Sequence, residues 1–165
     1  AKRFVIDLRD NGGGSFAAGV DVARVWIDSG VIVNIADKQG ITDYYEARGS
    51  AADASSPVTV LINGGTASAA EVLAAALKDN GRATALMGDG NSFGKGLIQT
   101  LVPLSDGSGV SVSVAKYQTP KGVDINGEGI TPDIVTRELP SPNMGREDKT
   151  KPCLIVEATD RAFRQ

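Results

Sequence analysis

Between Val58 and Lys95 the chain sets out a strand, a turn, a helix, a second strand and a glycine loop, and this order constrains the fold more than any other feature. Val58 to Ile62 is an apolar strand. Gly64-Gly65-Thr66-Ala67 is a small-residue turn that runs into Ser68 and then into Ala69-Ala70-Glu71-Val72-Leu73-Ala74-Ala75-Ala76-Leu77, a stretch of helix formers and small packers. Thr66 or Ser68 can accept from backbone N–H groups of the first turn, and Glu71 stands three residues after Ser68, as in a capping box. Asn80-Gly81 closes the helix as a left-handed cap does, and Thr84 to Met87 returns as a strand. Strands alternating with helices require an α/β fold with much parallel pairing.

The rest of the chain repeats the pattern. Phe4 to Leu8 reads as a buried strand, Arg9 to Ser15 as a glycine loop, and Phe16 to Asp28 as a helix closed by Ser29-Gly30. Val31 to Ala36 and Ile41 to Ala47 read as strands, with Tyr44 and Tyr45 on opposite faces of the second. Leu97 to Leu104 and Val110 to Tyr117 flank Ser105-Asp106-Gly107-Ser108-Gly109, a hairpin signal. Thr119 to Pro132 is rich in turns, and Glu138 to Pro152 is polar and carries three prolines. The simplest division is a core domain over 1–137 and a linker and tail over 138–165, with Leu154 to Phe163 docking as a short closing element.

Composition narrows the chemistry. The 165 residues suffice for one domain with a real core, and no apolar run reaches the length of a membrane span. A formal charge of −3 gives no electrostatic reason to expect nucleic acid, and a single cysteine, Cys153, excludes an internal disulfide. Histidine is absent, which removes Ser–His and Cys–His arrangements and His-ligated metal sites. Acid–base work near neutral pH then falls to a shifted Lys, Asp, Glu or Tyr.

Three clusters carry candidate chemistry. In the first glycine loop, Gly12, Gly14 and Ala17 fit a dinucleotide fingerprint, with Asp37 ending the next strand, but Arg9-Asp10-Asn11 separate the strand from the first glycine. The same loop reads equally as a simple turn, or as bare N–H groups directed at a developing negative charge. The segment Asp89 to Gly96 resembles a phosphate loop but has Asp89 where a glycine is required and Gly96 where Ser or Thr is required. The third cluster pairs Ser68, at a helix start, with Lys95 between two glycines. A serine hydroxyl needs a base within reach, and a lysine at its ordinary pKa of ~10.4 cannot serve until burial lowers it. Phe93 and Leu97 are the expected apolar cover. The N–H of Ala69 and one from Gly12 to Gly14 would hold an oxyanion.

Five ordered blocks carry a family resemblance. These are Leu8-Arg9-Asp10-Asn11-Gly12-Gly13-Gly14, Thr66-Ala67-Ser68-Ala69-Ala70-Glu71, Phe93-Gly94-Lys95-Gly96-Leu97-Ile98-Gln99, Tyr117-Gln118-Thr119-Pro120 and Gly129-Ile130-Thr131-Pro132-Asp133. Together they resemble the carboxyl-terminal processing peptidases, also called tail-specific proteases, and look closest to the plastid branch that trims the photosystem II reaction-centre precursor. The resemblance implies a ClpP/crotonase-like serine peptidase core with a mixed sheet and flanking helices. It implies Ser68 as nucleophile, Lys95 as general base, Gln99 as support for the lysine, Ala69 and Gly14 as oxyanion donors, and Asp79 as an acidic position in a supporting role. No cofactor or metal is implied.

The partner implied is the C-terminal tail of a protein substrate, pairing with a sheet edge. Nucleic acid is not expected, peripheral membrane association is allowed, and the oligomeric state is left open. The implied compartment is the thylakoid lumen of the chloroplast, with a bacterial periplasm as the alternative. Relatives carry a PDZ domain and a helical cap before this region, so the chain is expected to be a fragment. The rival reading is a non-catalytic member of the same fold acting as a binding or structural subunit. Asp89 and Ser92 stand where the family has Glu and Thr.

Overall fold

A computed structural model of the chain describes residues 3–136. The expected linker, the closing element and the tail over 138–165 lie outside these residues. The elements in order are β1 (Phe4–Asp7), α1 (Phe16–Trp26), β2 (Ser29–Asp37), β3 (Gly40–Arg48), β4 (Val58–Ile62), α2 (Ala69–Asp79), β5 (Ala83–Gly88), β6 (Leu97–Pro103), β7 (Gly109–Gln118) and β8 (Ile134–Val135). The α/β class expected from the alternation is observed. The two kinds of strand pairing are segregated into two sheets. One has the order β1-β4-β5-β8 with every pair parallel. The other has the order β3-β2-β7-β6 with every pair antiparallel. A two-residue strand such as β8 has no periodicity to announce it. It forms because Asp133 closes on β5, its N–H donating to Leu86 O and its carboxylate accepting from Leu86 N, both at 2.8 Å.

Helix α2 is buried along its whole length from Ala69 to Leu77. A helix apolar on every side must be covered on every side. Its alanines allow that, because small side chains let neighbouring backbones approach. Gly19 in α1 marks the closest approach: a Cβ there would lie 3.1 Å from the carbonyl oxygen of Ala69. One apolar core joins Val58, Val60, Ile62 and Leu86 of the parallel sheet to α1, α2 and Ile32 and Val33 of β2. The opposite face of the parallel sheet buries Leu61, Ala85 and Met87 against Ile134.

Helix ends differ in how well the sequence foretold them. Asn80-Gly81 caps α2 as expected: Gly81, at φ +65°, donates to Lys78 O at 3.0 Å and Arg82 to Leu77 O at 2.9 Å. Helix α1 stops earlier than the sequence suggested, with Ile27 already extended at φ −101° and ψ 118°. Ser29-Gly30, expected as its closing turn, instead begins β2, because pairing of Ser29 with Arg48 and Gly30 with Ala47 draws them into the sheet. Tyr45 meets Phe16 edge-on at 5.0 Å and Tyr117 stacks on the same ring at 5.1 Å, which ties the start of α1 to the antiparallel sheet.

Two carboxylates make the fold sensitive to acid. Burial pushes the Asp7 carboxyl up, but hydrogen bonds from the Arg9 side chain and backbone, with its charge, outweigh this and hold the group below its ordinary value. Asp124 is pushed up by burial too, and its bonds with Lys116 and the Asn126 N–H bring it down further. Groups lowered in the folded state contribute stability that is complete above the unfolded value near ~4 and is lost as pH falls through the folded values. The urea midpoint is therefore expected to hold steady from these groups down to about pH 5 and to fall as the pH drops below the ordinary carboxylate value of ~4, with Asp7→Asn removing part of that slope.

Candidate active site

Ser68 occupies a conformation that a serine adopts only when its surroundings force it. It sits between β4 and α2 at φ +57° and ψ −122°, one of two non-glycine residues with positive φ among the described residues. The turn before it is locked from both sides. The Thr66 hydroxyl donates to Leu8 O at 2.7 Å and accepts from Asn63 N at 3.1 Å. Thr66 therefore ties the ends of β1 and β4 together and does not cap the helix, the role its position in the sequence suggested. The Asn63 side-chain amide donates to Asp10 at 2.9 Å while its oxygen accepts from the N–H groups of Asp10 and Gly65. Ala67 N donates to Asn11 O at 2.9 Å. A sharp strand-to-helix turn held this way projects the residue at its apex.

The glycine loop after β1 lies directly against that apex. A Cβ on Gly13, at φ +91°, would fall 2.7 Å from Ala67 O and 2.8 Å from the Ser68 Cβ, so only glycine fits. The backbone of the loop packs directly on the serine turn. Gly14 and Ala69 line one cleft of about 200 Å³ together with Gly13, Ala18, Gly19 and Val22. Neither the Gly14 N–H nor the Ala69 N–H has a hydrogen-bond partner among the described residues. Ala69 is the first residue of α2, so its free N–H also carries the positive end of the helix dipole.

Glu71 holds the site together, and the sequence disclosed only half of this. Its side chain is 0 % exposed. One carboxylate oxygen accepts from Ser68 N at 2.8 Å, completing the capping contact foreseen from the spacing. That same oxygen accepts from Lys95 N at 2.9 Å. The other oxygen accepts from Gly94 N at 2.7 Å and the Ser92 hydroxyl at 2.5 Å. Ser92 Oγ in turn accepts from Ile130 N at 2.7 Å. The backbones of Ser68 and Lys95 are thus one shared acceptor apart, although 27 positions separate them in sequence. The signal for this was an acidic residue in the first turn of an alanine-rich helix, flanked on both sides by apolar residues, whose charge needs donors if it is to be buried.

The remaining expected site residues are placed as follows. Lys95 comes to the site through its backbone, while its side chain is exposed and makes no hydrogen bond or ion pair among the described residues. The expected apolar cover is not made: Phe93 is 64 % and Leu97 42 % exposed. Alternate residues of an extended segment point to opposite sides, and here Ser92, Gly94 and Gly96 turn inward to meet Glu71 and the 126–129 turn, which sends Phe93, Lys95 and Leu97 outward. Gln99 is on β6, its amide 3.4 Å from the Ser113 hydroxyl across the hairpin. Asp79 lies at the other end of α2 from Ser68. There it accepts from Lys121 N at 3.1 Å, its side chain 12 % exposed. Among the described residues no group of His, Cys, Asp and Glu is arranged to hold a metal ion.

The model of peptidase family S41 matches residues 1–136. The chain belongs to that family. This S41 chain is 60 % identical over 130 residues to a chloroplastic C-terminal processing peptidase of Tetradesmus obliquus, covering 79 % of the chain and 28 % of the relative. It is 55 % identical over 131 residues to carboxyl-terminal-processing peptidase 2 of Arabidopsis thaliana, also chloroplastic, covering 79 % of the chain and 25 % of the relative. Among solved structures, a photosystem II D1 C-terminal processing protease superposes with a TM-score of 0.77 at 58 % identity, over 81 % of this chain and 34 % of that one. A lipoprotein of Streptococcus agalactiae shares the fold at a TM-score of 0.65 and 19 % identity. The S41 chain therefore spans between a quarter and about a third of the length of these processing peptidases.

Proposed function

We propose that the protein containing this S41 chain is a serine endopeptidase that cleaves near the C-terminus of a protein substrate. The observation that carries the reading is the apex serine flanked by two unpartnered N–H groups on residues that line one cleft: that of Ala69, which follows it in the chain, and that of Gly14, next to the glycine packed against Ser68. Lys95, as the neutral amine, takes the proton of the Ser68 hydroxyl as its oxygen attacks the scissile carbonyl. The Ala69 and Gly14 N–H groups receive the oxyanion, each such donor contributing ~3 kcal/mol to the transition state. Protonated Lys95 returns its proton to the leaving amine, and water releases the acyl group. Gln99 would orient the amine in the closed site, and Asp79 would support it indirectly by holding the 119–123 turn. The glycine and alanine lining of the cleft suits a small apolar side chain next to the cleaved bond. The D1 C-terminal processing protease that superposes on this chain supports the photosystem II D1 protein as substrate, and the chloroplastic relatives support a chloroplast compartment, within which the thylakoid lumen is our reading.

The exposed Lys95 side chain favours one rival, a non-catalytic subunit of the same fold. In the peptidase reading this is a resting arrangement, and substrate bound along the sheet edge supplies the apolar cover that desolvates the amine. Cleavage of a synthetic tail peptide by the full-length protein, followed by mass spectrometry, decides between them. Lys95→Met keeps the length of the side chain without a base, and is expected to lower kcat by about 10²- to 10⁴-fold with KM little changed. Cleavage that survives Lys95→Met undisturbed would refute the assigned base, and absence of cleavage by the unaltered full-length protein would favour the subunit.

A further inference from the structure

The sequence contains four Asn-Gly pairs, Asn11-Gly12, Asn63-Gly64, Asn80-Gly81 and Asn126-Gly127, and the fold treats them unequally. Asn-Gly is the dipeptide most open to intramolecular deamidation, because no side chain shields the glycine nitrogen. Attack by that nitrogen on the side-chain carbonyl carbon needs a nitrogen free of other bonds and a side-chain amide free to leave. At Asn63 the amide donates to Asp10 and its oxygen accepts two N–H groups. At Asn80 the amide donates to Val31 O at 2.8 Å and Ala76 O at 2.9 Å, and Gly81 N is bound to Lys78 O. At Asn126 the following nitrogen, Gly127 N, is held by Gly94 O at 2.9 Å.

Asn11 differs on each count. Its side chain is exposed and its amide nitrogen donates to no group among the described residues. Gly12 N likewise has no partner there, and a Cβ on Gly12 would meet nothing within 4 Å, so the space for a tetrahedral adduct is open. The one bond the side chain makes, Gly13 N–H to its Oδ1 at 3.0 Å, draws the carbonyl over the following peptide and polarises the carbon to be attacked. We propose that Asn11 is a self-modification site, deamidating through a succinimide with Gly12 ahead of every other Asn-Gly pair among the described residues. The Gly12 N to Cγ bond forms, the Cγ to Nδ2 bond breaks, and the Gly12 proton leaves with ammonia. Water then opens the ring to aspartate or isoaspartate.

The consequence for activity rests on the peptidase reading; the modification does not. Isoaspartate routes the main chain through Cβ and Cγ, which lengthens it by one atom ahead of the contact of Gly13 with Ser68 and turns the Asn11 carbonyl that accepts from Ala67 N into a branching carboxylate. That shift displaces Gly14 from the cleft, so the reaction acts as a clock on the enzyme.

The test is peptide mapping of the purified full-length protein aged at mildly alkaline pH, with isoaspartate read by enzymatic methylation. The gain of about 1 Da is expected at Asn11 first, roughly tenfold faster than at Asn63, Asn80 and Asn126, whose groups must first open existing bonds. Gly12→Ala is expected to slow the gain at Asn11 by about tenfold, the new methyl crowding the attacking nitrogen, and to leave the other three rates unchanged. Equal rates at all four sites, or no effect of Gly12→Ala, would overturn the proposal. Full peptide cleavage by protein converted at Asn11 would overturn the clock alone. A protein that modifies as expected but never cleaves would refute the peptidase reading and leave the site standing.

Discussion

Ser68→Gly is expected to abolish hydrolysis and at the same time make the protein more stable. Loss of a nucleophile of this kind typically costs about 10⁴- to 10⁶-fold in kcat. The stability gain has a separate cause. Ser68 holds φ +57° and ψ −122°, where a Cβ crowds the neighbouring carbonyls, and such a conformation costs of order 1–3 kcal/mol. Glycine relieves that strain, while the added freedom of the unfolded chain takes back about 0.4–1 kcal/mol. A net gain of about 1 kcal/mol remains. Ser68→Ala is the control: it removes the hydroxyl and keeps the Cβ. Both variants should be inactive, and only the glycine variant should have the higher urea midpoint. If the two unfold at the same urea concentration, the strain assigned to the apex is wrong. The trade is the usual one, in which a reactive group is held ready at the expense of stability.

Glu71→Gln, nearly isosteric, is expected to lower stability by about 3 kcal/mol and kcat with it. The buried carboxylate faces four donors, from Ser68, Ser92, Gly94 and Lys95. A glutamine amide offers one oxygen and one NH2 group. Whichever way it turns, two N–H or O–H donors then face a third donor, and each buried donor left unpaired costs ~1–3 kcal/mol. The hydroxyl of Ser92 can rotate away, which is why the orientation directing NH2 toward Ser92 and Gly94 should win. Glu71→Ala leaves all four unpaired and should cost at least about 4 kcal/mol, enough to prevent folding. For the glutamine variant, kcat should fall more than KM rises, since the carboxylate positions the Ser68 and Lys95 backbones and is itself fully buried, out of a substrate's reach. A variant with unchanged urea midpoint and unchanged kcat would show that the carboxylate does not join the two segments.

Several elements are plain in the amino-acid sequence. The β4 strand, Val58–Ile62, and the body of α2 were legible because a short β-branched apolar stretch and a long run of alanine and leucine have few alternatives. The hairpin of β6 and β7 was legible because Gly107 and the alternating valines fix both turn and register. The end of α1 was misread, since Ser29-Gly30 has the chemistry of a turn and was recruited by a strand distant in sequence. The apolar cover of Lys95 was misread for a related reason. Neighbouring hydrophobic residues in a loop say nothing about which way they face, and the inward side had already been taken by Ser92, Gly94 and Gly96.

What the sequence determined by itself is local: a serine at a helix start, a glutamate three residues on, glycines where no side chain could pass, and the absence of histidine, which leaves acid–base work within this chain to Lys, Asp, Glu or Tyr. Those follow from short-range sterics and from which side chains can titrate. Only the tertiary structure decided that one buried carboxylate joins the serine turn to the lysine loop, that Gly13 presses on Ser68, and that the lysine side chain points to solvent. Each of these depends on contacts between segments far apart in the chain, and such contacts are set by the packing of the two sheets around α2, which no local pattern encodes.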